Sequence, residues 1–284
     1  MGIYSDVLLT VDFDRTLTGL DGQIPERNLE AIRYFMDNGG IFTVNTGRSV
    51  PMFRPHMDRV PTNAPFLLYN GSGAYNYEKR ELELLRPIPL PMMETIQACM
   101  ARFPDLNLEV QGLDAHYCFQ EVGDWDAFCA YQGCTYAHAA EGTDYGPFLK
   151  FAMIGKLTKP TVASLFEGTA EEFARLDEAE AWLKERFGDA IEVFRAGPRI
   201  VDIHAHGVSK CRAARDLQAK LGRKILVCVG DAENDMTMLE GADYAFCPAD
   251  GVVADRFDNV CNCDEGAVAD VIYKKIPEIL ALHP

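Results

Sequence analysis

Two carboxylates two residues apart, Asp12 and Asp14, end a short apolar run and precede Arg15-Thr16. Like charges this close are costly unless something neutralises them, and a divalent cation with oxygen ligands does so. Such a pair also leaves one carboxylate to attack phosphorus and one to handle a proton. Taken alone, the pattern fits an acidic loop in solvent equally well. Thr46-Gly47-Arg48 ends a second apolar run. Its hydroxyl and the N–H groups of a following helix start suit a phosphate oxygen, although a plain capped turn uses the same residues. Lys210 follows Gly207-Val208-Ser209 at a helix start, where its charge opposes the helix dipole. A nearby anion or carboxylate would resolve that conflict; a solvated lysine would simply tolerate it. The fourth cluster, Gly230-Asp231-Ala232-Glu233-Asn234-Asp235, places oxygen donors suited to Mg2+ after the run ILVCV. It is the most specific of the four, its alternative being a capped turn before a helix.

These clusters need elements that bring them together. Val7 to Val11 reads as a buried strand ending at Asp12. Pro25 opens a helical pattern with Leu29, Ile32 and Phe35 on one face, closed by Gly39-Gly40. Ile41 to Val44 reads as a second strand and Phe66 to Tyr69 as a third, ending in Asn70-Gly71. This rhythm predicts a doubly wound parallel sheet, in which ligands bind at the carboxyl ends of the strands. The proline-rich stretch Arg86 to Pro91 is a stiff connector. Beyond it the pattern predicts a helix through Met93, Ile96 and Met100, and strands at Leu106–Val110, Tyr117–Gln120 and Phe148–Ile154. An acid-rich helix over about 171–187 and strands at Ile191–Phe194 and Ile200–Ile203 follow. A helix from Lys210 to Leu221, strands at Ile225–Val229 and Tyr244–Phe246, and a helix from Ala267 restore the first rhythm. The predicted fold class is α/β: a Rossmann-like doubly wound parallel-sheet core with an inserted α+β cap domain. The core takes residues 1–86 and 205–284, and the cap takes 87–204.

A net charge of −16 without a basic run argues against nucleic acid and against an acidic membrane surface. No segment approaches the roughly 20 apolar residues of a membrane span, and the N-terminal stretch lacks the parts of a signal peptide. A cytoplasmic location is the expectation. The nine cysteines form no CxxC motif and read as reduced thiols in a reducing compartment. The expected partner is a small phosphorylated metabolite, and the oligomeric state is left open.

The four motifs in this order, with the long insertion between the second and third, resemble the haloacid dehalogenase superfamily. The insertion resembles the type IIB cap of its Cof-like sugar phosphatases. The resemblance implies a magnesium-dependent phosphatase acting on a small phosphomonoester, most readily a sugar phosphate, through an aspartyl-phosphate. It implies Asp12 as nucleophile, Asp14 as acid and base, and Thr46, Gly47 and Lys210 around the phosphate. It implies Mg2+ held by Asp231, the Asp12 carboxylate and the Asp14 carbonyl, with Asn234, Asp235 and Arg48 in support. A phosphomutase of the phosphomannomutase type and a non-catalytic phosphate-binding protein are the alternatives. The sequence departs from the family at Arg15, where glycine is usual, and at Phe246-Cys247-Pro248-Ala249. Arg15 could face solvent, touch substrate or cap, or disturb catalysis; Asn70 is a second possible substrate contact. Lys150, Arg195, Asp202, His204 and His206 are the polar candidates near the cap strands.

Overall fold

Every residue of Val7–Val11 is buried in the strand β1, as a central strand covered on both faces should be. In the computed structural model, which describes residues 2–156 and 167–283, α1 (Glu26–Asp37), β2 (Ile41–Val44) and α2 (Val50–Met57) follow. Next come β3 (Phe66–Leu68), β4 (Gly73–Asn76) and β5 (Glu81–Glu83). The inserted stretch then contributes α3 (Met92–Arg102), β6 (Asn107–Gln111), β7 (His116–Gln120), α4 (Trp125–Gln132), β8 (Tyr136–His138) and β9 (Phe151–Ile154). It ends with α5 (Ala170–Phe187), β10 (Ile191–Gly197) and β11 (Ile200–Ala205). The chain finishes with α6 (Lys210–Leu221), β12 (Ile225–Val229), α7 (Met236–Glu240), β13 (Tyr244–Pro248), β14 (Asp258–Val260), α8 (Ala267–Asp270) and α9 (Ile276–Ala281).

The chain divides into two compact units. The first comprises residues 1–47, 56–84 and 209–284; the second comprises 48–55 and 85–208. In the first, a parallel sheet runs in the order β14-β13-β12-β1-β2. β1 lies between β12 and β2, with Val11 opposite both Val229 and Val44. That register brings residues 12, 45 and 230 to the same carboxyl edge, at the point where the strand order turns. Leu8, Leu226 and Cys228 pack with Ala213, Leu217, Met238 and Leu239 of α6 and α7. Elsewhere in this unit α1 packs with α8, tied by the Ala269 N–H donating to the Asn28 side chain at 2.9 Å. Asn28 is fully buried here, whereas Leu29 is only partly so; the apolar face of α1 is carried by Ala31, Ile32 and Phe35.

β3 departs from expectation. It ends one residue early and pairs antiparallel with β4, in a three-stranded sheet with β5. Its tie to β2 is a single parallel bridge between Asn45 and Leu67. β4, β5, α4, β8 and β14 were not anticipated, being short or weakly periodic.

In the second unit the sheet order is β10-β11-β9-β6-β7-β8, antiparallel except for β7 with β8. Val110, Met153 and Val201 of this sheet bury against Ile96 and Phe103 of the α3 region and Leu176 and Leu183 of α5. α5 opens with a capping box between Thr169 and Glu172. All nine cysteines are free thiols. Among the described residues, no helix is long and apolar enough to cross a membrane.

Candidate active site

Asp12 is the first residue beyond β1. Its N–H continues the ladder to the Val229 carbonyl at 2.9 Å, so its backbone is fixed by the sheet. The chain then turns tightly through Phe13–Leu17, with the Thr18 N–H donating to the Phe13 carbonyl at 2.9 Å. Phe13, Thr16 and Leu17 are buried in this turn; Asp14 and Arg15 are exposed.

Lys210 is the first residue of α6, which is capped by the Ser209 hydroxyl accepting from the Arg212 N–H. Its Nζ donates to Asp12 Oδ1 and to Asp235 Oδ1, each at 2.6 Å. The lysine is 1% exposed and Asp235 fully buried, so the expected conflict with the helix dipole is resolved by two carboxylates. Asn45, whose position at the end of β2 gave no chemical signal in the sequence, donates to the Lys210 carbonyl at 2.8 Å. It thereby ties β2 to the start of α6.

The loop after β12 folds around Asp235. Its Oδ2 accepts the N–H groups of Asp231 and Ala232, each at 3.1 Å. Gly230 is required beside it, because a Cβ there would stand 2.6 Å from the Asp235 Cβ. Asp231 is buried and accepts from the Thr16 hydroxyl at 3.1 Å, a contact between distant segments that the sequence did not predict. Asn234 is exposed and makes no side-chain hydrogen bond among the described residues; of the acid-amide loop, Asp231 and Asp235 turn inward.

Thr46 is buried. Its N–H donates to Leu67 O at 2.9 Å and its carbonyl accepts the Asn70 N–H at 3.1 Å. Gly47 lies against Asn70: an added Cβ would come within 2.7 Å of Asn70 Oδ1. Asn70 is buried with φ 53°, a left-handed conformation that asparagine tolerates better than most residues. Arg48 falls in the second unit and donates to the Met52 carbonyl within its own segment. The polar residues of the insertion are engaged internally. Lys150 Nζ pairs with Asp202 Oδ2 at 2.7 Å, both buried, Arg195 pairs with Asp177, and His206 lies 3.4 Å from Glu192. His204 is fully buried, and that burial, with the Lys150 charge, holds its imidazole well below the usual range.

The electrostatics are unbalanced. Asp12, Asp231 and Asp235 each offer a buried carboxylate oxygen within 4.8 Å of the others, and among the described residues Lys210 is the one ammonium bonded among them. Burial first, then Asp235, pushes Asp12 well above the usual carboxylate range, with Asp14 and Asp231 adding to it against the pull of Lys210. Burial and Asp235 raise Asp231 to about 6, against the Thr16 hydrogen bond. Burial works against the Lys210 charge, but Asp12 and Asp235 outweigh it and hold its pKa above the ordinary lysine value. Buried negative charge in surplus, on hard oxygen donors, fits a divalent cation such as Mg2+.

A sequence profile of the haloacid dehalogenase-like hydrolases matches residues 9–272. None of the curated proteins matches the chain. Among solved structures, a haloacid dehalogenase-like hydrolase from Bacteroides thetaiotaomicron is similar at 20% identity, covering 94% of this chain and 98% of that one, with a TM-score of 0.75. A phosphatase of the same superfamily from that organism is 15% identical, covers 93% of each chain and has a TM-score of 0.73. A subclass IIB sugar phosphatase is 16% identical, covers 97% of this chain and 99% of that one, with a TM-score of 0.71. At these identities the likeness is one of fold, a parallel-sheet core with a cap domain.

Proposed function

The chain belongs to the haloacid dehalogenase-like hydrolases, and from that premise we propose that it is a magnesium-dependent phosphatase of small phosphomonoesters, sugar phosphates foremost. The observation that carries the reading is the buried contact of Lys210 Nζ with Asp12 Oδ1 at 2.6 Å. It holds one carboxylate oxygen and leaves Oδ2 to act as a nucleophile. The choice of sugar phosphates draws support from the fold shared with a subclass IIB sugar phosphatase.

In this reading Asp12 Oδ2 attacks phosphorus and the bond from phosphorus to the leaving oxygen breaks. Asp14, exposed two residues on and close enough to influence the charge of Asp12, gives that oxygen its proton. Asp14 then takes a proton from water, which attacks the aspartyl-phosphate. The bond between phosphorus and Asp12 breaks, phosphate leaves, and the Asp12 carboxylate is restored. Lys210, Thr46 and the N–H groups around Gly47 receive the phosphoryl oxygens. Asp12, Asp231 and the Asp14 carbonyl would hold Mg2+, which when bound neutralises the phosphoryl charge facing these carboxylates. Asp235 holds both Lys210 and the loop that carries Asp231, and Asn234 belongs to the surrounding support. Residues 87–204 form the cap, and the protein works in the cytoplasm.

The test is phosphate release from a panel of phosphorylated sugars, nucleotides and cofactors with Mg2+. Asp12→Asn is expected to abolish it; turnover retained in that variant would rule out Asp12 as nucleophile.

A further inference from the structure

Arg15 occupies a conformation that suits a different residue. Its backbone lies at φ 59°, ψ 13°, the left-handed region where a Cβ crowds the following carbonyl and glycine is at ease. The turn does not use the arginine side chain. It is closed by backbone and hydroxyl groups: the Arg15 N–H donates to Thr18 Oγ1 at 3.1 Å, and the Leu17 N–H donates to the Asp12 carbonyl at 3.3 Å. Nor is the side chain spent on an internal ion pair. Arg27, Arg102, Arg175 and Arg215 each hold a carboxylate, whereas Arg15 is exposed and pairs with none among the described residues. Its charge is nevertheless felt at Asp231 and Asp250. An exposed arginine thus stands on strained backbone three residues beyond Asp12, with its fork uncommitted among the described residues.

The phosphate to be cleaved must meet buried Asp12, Lys210 and Thr46. Arg15, exposed and three residues beyond Asp12, is placed for a group outside that pocket. A planar guanidinium fork matches carboxylate or phosphate oxygens two at a time. We propose that Arg15 selects substrates that carry, beside the scissile phosphate, a second anionic group, a carboxylate or a second phosphate. It does so within the phosphatase reaction proposed above, on which this assignment rests.

The experiment compares glucose 6-phosphate, which has one anionic group, with 6-phosphogluconate and fructose 1,6-bisphosphate, which add a carboxylate and a second phosphate. With Mg2+ present, kcat/KM is measured for the native protein and for Arg15→Gly, Arg15→Gln and Arg15→Lys. The ratio of the doubly to the singly anionic substrate is expected to fall about tenfold or more in Arg15→Gly and Arg15→Gln, roughly 1.4 kcal/mol of lost discrimination. Arg15→Lys should keep most of it. The arm that falls tells which second group is bound. An unchanged ratio in Arg15→Gly, or an equal loss on all three substrates, overturns the proposal; the latter would put Arg15 on the scissile phosphate. Glycine suits φ 59°, so Arg15→Gly is expected to fold with an undiminished Tm. Calorimetric binding of the same three compounds to Asp12→Asn, with and without Arg15→Gly, reads the ratio without turnover. A binding preference that vanishes with Arg15→Gly supports the anion site even where hydrolysis fails, and failed hydrolysis then counts against the phosphatase reading alone. Equal affinities for the three compounds, or a preference that survives Arg15→Gly, overturn the anion site.

Discussion

Lys210 Nζ donates to Asp12 Oδ1 at 2.6 Å across 198 residues of sequence, with both groups buried. A charge-assisted bond of this kind fixes a carboxylate in direction as well as in charge. Lys210→Met is therefore expected to lower kcat for phosphate release by about 10²–10³-fold, the scale of losing one oriented charge partner in a site that excludes water. Turnover near the native value in Lys210→Met would remove this contact from the reaction.

Gly230 leaves no room for a side chain, since a Cβ would meet Asp235 Cβ at 2.6 Å and Cγ at 2.7 Å. Gly230→Ala must displace the carboxylate that holds Lys210 and the Asp231 and Ala232 N–H groups. We expect a loss of about 1–3 kcal/mol in urea unfolding from the overpacking, with a weaker response of Tm to added Mg2+. A variant of native stability and native Mg2+ response would contradict the tight packing.

Three buried carboxylates facing one ammonium repel each other without a cation. Mg2+ at about one hundred times its Kd should raise the unfolding free energy by about 2.7 kcal/mol. Chelation should reverse the gain and stop phosphate release. Calorimetric scans with and without the chelator read the first effect independently of catalysis, and Asp231→Asn should blunt it.

Glu109 Oε2 and His116 Nδ1 stand 3.2 Å apart and buried in the second unit. Burial opposes both charges, but each partner's charge and their shared hydrogen bond outweigh it, holding Glu109 below 4.5 and His116 above 6.5. The lowered carboxyl stabilises the fold above its unfolded pKa, and its contribution is lost as pH falls through the folded value. The raised imidazole stabilises below its unfolded pKa, and its contribution is lost as pH rises through the folded value. The pair is thus fully effective from about pH 4.5 to 6.5. The stability difference between the native protein and His116→Ala should be about 3 kcal/mol there and shrink towards pH 9. A constant difference across that range would mean that His116 stays neutral.

Much of the core was readable because its strands are short, apolar and bounded by turn residues. β1, β2 and β12 have the limits predicted for them, and α6 runs from Lys210 to Leu221 as its pattern suggests. β3 lies outside the parallel sheet in which its apolar run suggests a place. An apolar run such as Phe66–Leu68 fits a central strand or a hairpin arm equally well, and its pairing with β4 is a matter of partners rather than of local pattern. The short or weakly periodic elements α4, β8 and β14 escaped for a related reason, since packing rather than propensity decides them.

The sequence by itself determined which groups were available and in what order: Asp12 and Asp14 after one apolar run, Thr46 after another, Lys210 at a helix start, Asp231 and Asp235 after a third. Strand and turn signals are local, and they suffice to place such groups at the ends of strands. Tertiary structure alone decided that Thr16 would meet Asp231, that Asn45 would hold Lys210, and that Asp235 would face inward while Asn234 faces out. Those outcomes depend on the register of β1 against β2 and β12. Register is fixed by side chains that pack across the sheet from segments hundreds of residues apart, and no local run of residues contains it.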